Sequence, residues 1–294
     1  MNLLDKSIVV SIVFGILSAI SIGLADLLSI AVANRLGLIR TGFWTKLLAI
    51  AWATPFLFFF GVSFSLDSNH WILFFLLGIG NVITYLVLIR SLQLGPVSVI
   101  APLTSLFPIV SITLAVLFLN EHLEVVQILV ISIALFGASM TVFKPTKFGG
   151  ISNNLTSGVL LGCVATILIG FEMFFRGALS KQVGWLLSVY VPLIISLSFF
   201  GQIAVVRREW PWERMKFGTF SLLCLASLLM VSAFFLFARG TEIGSVAVVA
   251  VAFNTYPLVP ILGGIIFFKE RLLISQIFGI VLMLGALALL GIIS

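Results

Sequence analysis

The sequence predicts an all-α integral membrane protein of ten transmembrane helices, arranged as an inverted repeat of two five-helix units. Three observations predict it. Of the 294 residues, 61% are hydrophobic and only 9% charged, against about 45–50% and 25% in soluble domains. The apolar residues gather into runs of the length that a bilayer requires, roughly 20 residues each. The second half of the chain repeats the first.

Ten runs are long enough to span: 7–28, 43–63, 70–90, 95–119, 123–143, 156–178, 184–206, 217–238, 243–268 and 272–292. They do not alternate with the period-two pattern of barrel strands, which would be about half as long. Polar segments separate them at 65–70 (SLDSNH), 120–124 (NEHLE), 144–154 (KPTKFGGISNN) and 207–216 (RREWPWERMK). Trp210 and Trp212 in the last of these read as interfacial anchors. Spans three and four are parted only by a tight turn at Leu94, Gly95 and Pro96. The first run lacks a small-residue cleavage region and is followed at once by another span, so it reads as a retained helix.

Composition also narrows function. The net charge is +6, but the basic residues stand singly between apolar runs, as headgroup anchors and topology signals rather than a nucleic-acid surface. Cys163 and Cys224 fall within apolar runs, and His70 and His122 lie far apart in loop-like stretches. No spacing for a metal site exists, and no cofactor is expected.

The repeat has an offset of 149 residues. Arg90 pairs with Arg239, Leu94 with Ile243, Gly95 with Gly244, Val97 with Val246, Pro108 with Pro257, Glu121 with Glu270, Leu123 with Leu272 and Gln127 with Gln276, without a gap. The first helices correspond at an offset of 147: Gly15 with Gly162, Gly23 with Gly170, Ala31 with Ala178 and Gly37 with Gly184. The two units are therefore 1–146 and 147–294. Because each holds an odd number of spans, the second must enter the membrane from the opposite side, which is the inverted-repeat plan of many secondary transporters.

The fourth span of each unit carries the most specific pattern. The first copy reads SLFPIVSITLAVLFLNEHLEVVQ (105–127) and the second NTYPLVPILGGIIFFKERLLISQ (254–276). A mid-span Pro, a Glu-x-Leu turn and a last helix beginning near Gln resemble the EamA domains of the drug/metabolite transporter superfamily, over nearly the whole chain. The first helix departs from that pattern, with Phe14-Gly15 and then Asp26 where a member often has Trp-Gly and then Lys. The resemblance implies a ten-helix basket around a central cavity faced by the first, third and fourth helices of each unit. It implies that the last helices are peripheral and contribute to homodimer contacts. It implies export, or in some members uptake, of amino acids, other small metabolites or drugs, driven by protons or exchange.

Polar groups at membrane depth are functional candidates. Glu172 and Arg176 are four residues apart on one helix face and able to pair, which would suit a zwitterion or an exchanged proton. The alternative reading is an ion pair that stabilises span six. Asp26, near the end of span one, reads either as an interfacial residue or as a coupling group. Asn81, Thr84 and Tyr85 form a polar group on span three. Thr104 and Ser105 precede Pro108, and Asn254, Thr255 and Tyr256 precede Pro257. Proline frees a carbonyl one turn back, and polar side chains beside such a break are good ligand contacts, although interhelical hydrogen bonding would also account for them. Arg90, Arg239 and Glu242 at helix ends, and Glu121 and Glu270 in short turns, read as structural or gating elements. The 28 phenylalanines could line a cavity for apolar or cationic solutes, but lipid-facing positions account for most of them.

Secondary transport of a small organic metabolite is the expected function, with membrane lipid as the surroundings. Its rivals are a channel, a membrane-embedded enzyme and a non-transporting assembly protein on the same fold. A channel would need a continuous polar pore, and an enzyme a convergence of acid, base or nucleophile. A prokaryotic plasma membrane is the expected location. Orientation follows from charge. Lys6, Arg176, Lys181 and Arg239 fall on the side of the termini. Arg35, Arg40, Lys46, Arg90, Lys144, Lys147, Arg207, Arg208, Arg214, Lys216, Lys269 and Arg271 fall on the other. The basic side is the cytoplasmic one, which puts both termini outside, whereas the family resemblance implies termini in the cytoplasm.

Overall fold

The architecture comes from a computed structural model, which describes residues 3–60, 67–94, 97–142, 153–209, 215–259, 261–263 and 272–293. Among these residues there are helices and turns and no strand. The helices are α1 (Leu3–Leu36), α2 (Leu38–Phe60), α3 (Ser68–Leu94), α4 (Val97–Thr104), α5 (Phe107–Phe118), α6 (Val125–Val142), α7 (Asn153–Val206), α8 (Phe217–Ile243), α9 (Val246–Phe253) and α10 (Ile274–Ile293). Hydrocarbon offers backbone groups no hydrogen-bond partner, so a spanning chain satisfies them within its own helix. The side chains left outside are apolar: Phe58 and Phe59 on α2, Phe136 on α6 and Val281 on α10 are all exposed, as a lipid-facing surface requires.

Among the described residues, eight helical stretches are long and apolar enough to cross a membrane. Two details explain how this count relates to the ten expected runs. The 54-residue α7 would extend about 80 Å at 1.5 Å per residue, far beyond a bilayer of about 30 Å. It is broken at Gly184, where φ is 83° and ψ 160°, a region open essentially to glycine alone. The run expected at 243–268 begins with the eight-residue α9 and continues through a turn at 254–257 toward residues outside those described.

Other boundaries differ from the sequence expectation in informative ways. α1 runs on to Leu36, so Asp26 lies well inside a helix rather than at its end. α2 begins at Leu38 and not at 43. The fourth run is two helices, α4 and α5, parted by a turn at Ser105 and Leu106. Pro108 sits in the first turn of α5, where a missing N–H costs nothing.

The two units pack through reciprocal contacts. Ser11 Oγ donates to Gly240 O at 3.2 Å, and Ser91 Oγ donates to Gly158 O at 2.8 Å. Gly158 is the repeat counterpart of Ser11, and Ser91 that of Gly240, so one contact occurs twice with donor and acceptor exchanged. A Cβ added at Gly23 would stand 2.6 Å from Val259 Cβ and 2.9 Å from Tyr256 O, and one at Gly170 would stand 2.5 Å from Val110 Cβ and 2.8 Å from Phe107 O. Val259 and Tyr256 are the counterparts of Val110 and Phe107. The first helix of each unit thus packs against the broken fourth span of the other, as a two-fold relation requires. The last helices, α6 and α10, pack on each other. There Gln276 Nε2 donates to Thr141 O at 3.0 Å, and Gly137 and Gly279 let the backbones approach, the small-residue packing common in membranes.

Candidate functional site

Charged side chains meet inside the helix bundle where α2 and α3 of the first unit face α7 and α8 of the second. Glu172 and Arg176 lie one turn apart on α7, before the Gly184 break, and Arg176 Nη2 donates to Glu172 Oε1 at 2.8 Å. Asn81 Nδ2 of α3 donates to the same oxygen at 2.7 Å. The Arg176 guanidinium lies 4.2 Å from the Phe234 ring centroid, a cation–π distance. Lys46 Nζ of α2 lies 5.9 Å from that ring, attracted by Glu172 and repelled by Arg176. All three charged residues are buried. Lys46, Asn81, Arg176, Pro192, Ser196 and Phe234 line a narrow crevice.

Hydrogen bonding here is incomplete. Arg176 Nε is buried without an acceptor, and Lys46 has no hydrogen-bond acceptor among the described residues. Two cations therefore share one carboxylate. The sequence points to Glu172, Arg176 and Asn81, whereas Lys46 enters there only as one of the charges that set orientation. The signal is present: with α2 starting at Leu38, Lys46 falls two turns inside the helix, and no charge follows it up to Phe60. Phe234 had no signal at all among 28 phenylalanines.

The polar group expected on span three divides. Asn81 joins Glu172. Tyr85 Oη donates to Leu38 O at 3.3 Å and lies in the field of Asp26, as does Tyr256, which is also hydrogen-bonded to the Thr104 side chain. Thr84 is buried and its hydroxyl has no partner. Asp26, Tyr85, Thr104 and Tyr256 thus form a second polar cluster contributed by α1, α3, α4 and the turn after α9. The Asp26 side chain is exposed.

The two helix breaks meet each other. Asn254 Nδ2 donates to Ser105 O at 2.8 Å across a separation of 149 residues, while Asn254 Oδ1 is left without a partner. Ser105 Oγ donates to Pro102 O at 2.7 Å, and Thr255 Oγ1 to Ala252 O at 2.8 Å. Their hydroxyls serve the local backbone, the bond type that bends helices.

Glu121 does something different. Its carboxylate accepts from Lys181 Nζ (2.8 Å), Ser245 Oγ (2.8 Å), Val246 N (2.8 Å) and Ala247 N (3.1 Å). A turn of the first unit thereby caps the first helical N–H groups of α9 in the second. Burial pushes its acidity down, but the bonds from Lys181, Val246 and Ser245 outweigh burial and hold its pKa below the ordinary carboxylate range. Arg239 pairs with Glu242 at 2.7 Å on the surface, and Arg90 is exposed at the end of α3. Glu270 lies outside the described residues, as do Trp210 and Trp212.

The protein is of the many-spanning helical membrane class, doubled internally and charged at the junction of its halves. The sequence model of the EamA-like transporter family matches residues 9–143 and 156–292, and the chain belongs to that family. No curated protein matches it. The fold is similar to a solved chain described as "Crystal structure of protein", with a TM-score of 0.82 over 97% of this chain and 99% of that one. At 13% identity the likeness extends to the fold alone.

Proposed function

We propose that the protein is a secondary transporter that moves a small organic metabolite by alternating access, with proton coupling or exchange as the driving process. The observation that carries this is the buried charge cluster of Lys46, Asn81, Glu172 and Arg176 between the two units. Charges at membrane depth are costly, and a junction of repeats is where transporters of this plan bind their solutes. Asp26, Tyr85, Thr104 and Tyr256 are the second group we assign to solute or coupling ion, with Ser105 and Asn254 at the breaks between them. The unpartnered Thr84 belongs with the first.

Ten spans in inverted units fit the break at Gly184, the continuation of α9 and the reciprocal contacts between units. A homodimer would use the outward faces of α6 and α10, which carry exposed Ile128, Phe136, Phe278 and Val281. For orientation, Lys46 and Arg176 leave the loop count because they are buried in the bundle. One basic residue is removed from each side, and the bias of the charges persists. We assign the loop 207–216 to the cytoplasm and Ser294 to the exterior of a prokaryotic plasma membrane. Single cysteines at these places, in a background without Cys163 and Cys224, should react with a membrane-impermeant reagent on intact cells at Ser294 only; labelling of the loop alone would reverse the assignment.

Reconstituted vesicles test the function. Counterflow of a labelled amino acid, other metabolite or cationic dye is expected. Sealed vesicles that pass no amino acid, sugar, nucleobase or dye under any ion gradient would remove the transport reading.

A further inference from the structure

The geometry points to a small apolar monocarboxylate as the solute class held by the Lys46–Arg176 crevice. This rests on the transport reading and narrows it.

The argument begins with charge. Lys46 and Arg176 are 7% and 2% exposed, and Glu172 is the one carboxylate among the described residues that acts on both. One positive charge is left uncompensated inside an apolar bundle, a costly state for an isolated ion. A monoanion restores neutrality, whereas a phosphate dianion would overshoot it. A solute cation would face two cations against one carboxylate already engaged by Asn81 and Arg176.

Hydrogen-bond geometry points the same way. Glu172 engages Nη2 of Arg176 and leaves Nε without an acceptor. Lys46 lines the same crevice and has no hydrogen-bond acceptor among the described residues. A carboxylate has two oxygens in a plane and suits two such donors. Of the other lining residues, Asn81 already donates to Glu172 and Ser196 to Gly78 O, and Val189, Pro192, Leu193 and Phe234 are apolar, so the rest of the solute is expected to be hydrocarbon. An α-amino group would have to compete with Arg176 for Glu172, so the deaminated acid should bind at least as well as the amino acid.

Binding to the purified, detergent-solubilised protein tests this without vesicles. The probes are 4-methylpentanoate and phenylacetate, their amides, leucine, 3-methylbutan-1-amine, chloride, sulfate and a short-chain phosphatidylglycerol. A saturable rise in melting temperature is expected with one or both acids and not with their amides. Lys46→Gln should weaken that response tenfold or more, and Lys46→Arg should restore most of it. The inference is overturned if the amides match the acids, if the amine is the better ligand, if chloride, sulfate or the anionic lipid alone gives the response, or if no acid binds. It is also overturned if Lys46→Gln folds and keeps full affinity; should that variant not fold, the wild-type acid–amide comparison and Lys46→Arg still decide. Acid binding without flux in vesicles would remove the transport reading and leave the crevice assignment standing. Flux of a neutral or cationic solute with no acid binding would do the reverse.

Discussion

Glu121 and Glu172 each pair with a cation at 2.8 Å, yet their surroundings differ. Glu121 receives four donors, two of them backbone N–H groups at the start of α9. Glu172 receives two at one oxygen, and the cations beside it keep donors without acceptors. A carboxylate whose neighbours are fully engaged holds two elements together. A cluster with donors to spare, where each spare donor is expensive, is the one we propose receives the solute. The contrast teaches that an ion-pair distance is a poor guide to role, and that hydrogen bonds left unmade around it are a better one.

Substitution at Glu172 should have the largest effect and tests the contrast directly. Glu172→Gln leaves two buried cations without a counter-charge, a loss of about 3 kcal/mol or more when one partner of a buried pair is removed. Transport in vesicles is expected to fall roughly a hundredfold, with assembly on gel filtration unchanged. Unaltered flux and unaltered pH dependence would make Glu172 a structural residue like Glu121.

Glu121→Gln should act on stability first. It weakens a cap and an ion pair, so a loss of about 1–2 kcal/mol in thermal unfolding is expected, with transport reduced less than by Glu172→Gln. Because the folded-state pKa of Glu121 is depressed, its contribution is fully present above the ordinary carboxylate range and is lost as pH falls through that range toward the lower folded value. Wild-type melting temperature should therefore drop on acidification more steeply than that of Glu121→Gln. Parallel curves would show that the network contributes nothing as an ion pair.

A smaller effect is expected at the paired turns. Gly37 and Gly184 have φ of 82° and 83°, and a Cβ would meet nothing within 4 Å at the first and Glu242 Oε1 at an unstrained 4.0 Å at the second. Alanine at each should cost about 1 kcal/mol from backbone conformation alone, equally at both. Unequal losses would mean that the repeat holds in sequence but not in energy. The smallest change is expected from Pro108→Ala. Its first-turn position in α5 predicts expression and melting temperature within about 0.5 kcal/mol of wild type, with a few-fold change in transport rate. Matched loss of folding and rate would assign the proline to structure.

Much of this was legible in the chain. The register of the repeat predicts which residues correspond, and the structure places Gly23 and Gly170 in matching surroundings, while Gln127 and Gln276 each accept from the N–H three residues earlier, because the same small or polar group meets the same demand twice. Helix ends were less legible. The polar Asn34 and Arg35 close α1, and hydropathy alone stopped short of them, which moved Asp26 to the wrong place. Partner choice was not legible. Asn81 and Glu172 are 91 residues apart and meet across units at positions that are not repeat counterparts. Lys46 was misread because a single charge near the edge of an apolar run looks the same whether the helix starts before it or after it.

The bond from Asn254 to Ser105 joins a residue to its own counterpart, since their separation equals the offset of the repeat. Only a point on a rotation axis meets its image. At this contact the two copies differ: one keeps a side-chain amide to give, the other offers a backbone carbonyl. The same location is stationary under any movement that swaps the halves, because a pivot stays still while its arms turn. A disulfide engineered between positions 105 and 254 should thus be carried through a cycle harmlessly, whereas one fastening residue 121 to residue 246 would stop the arms.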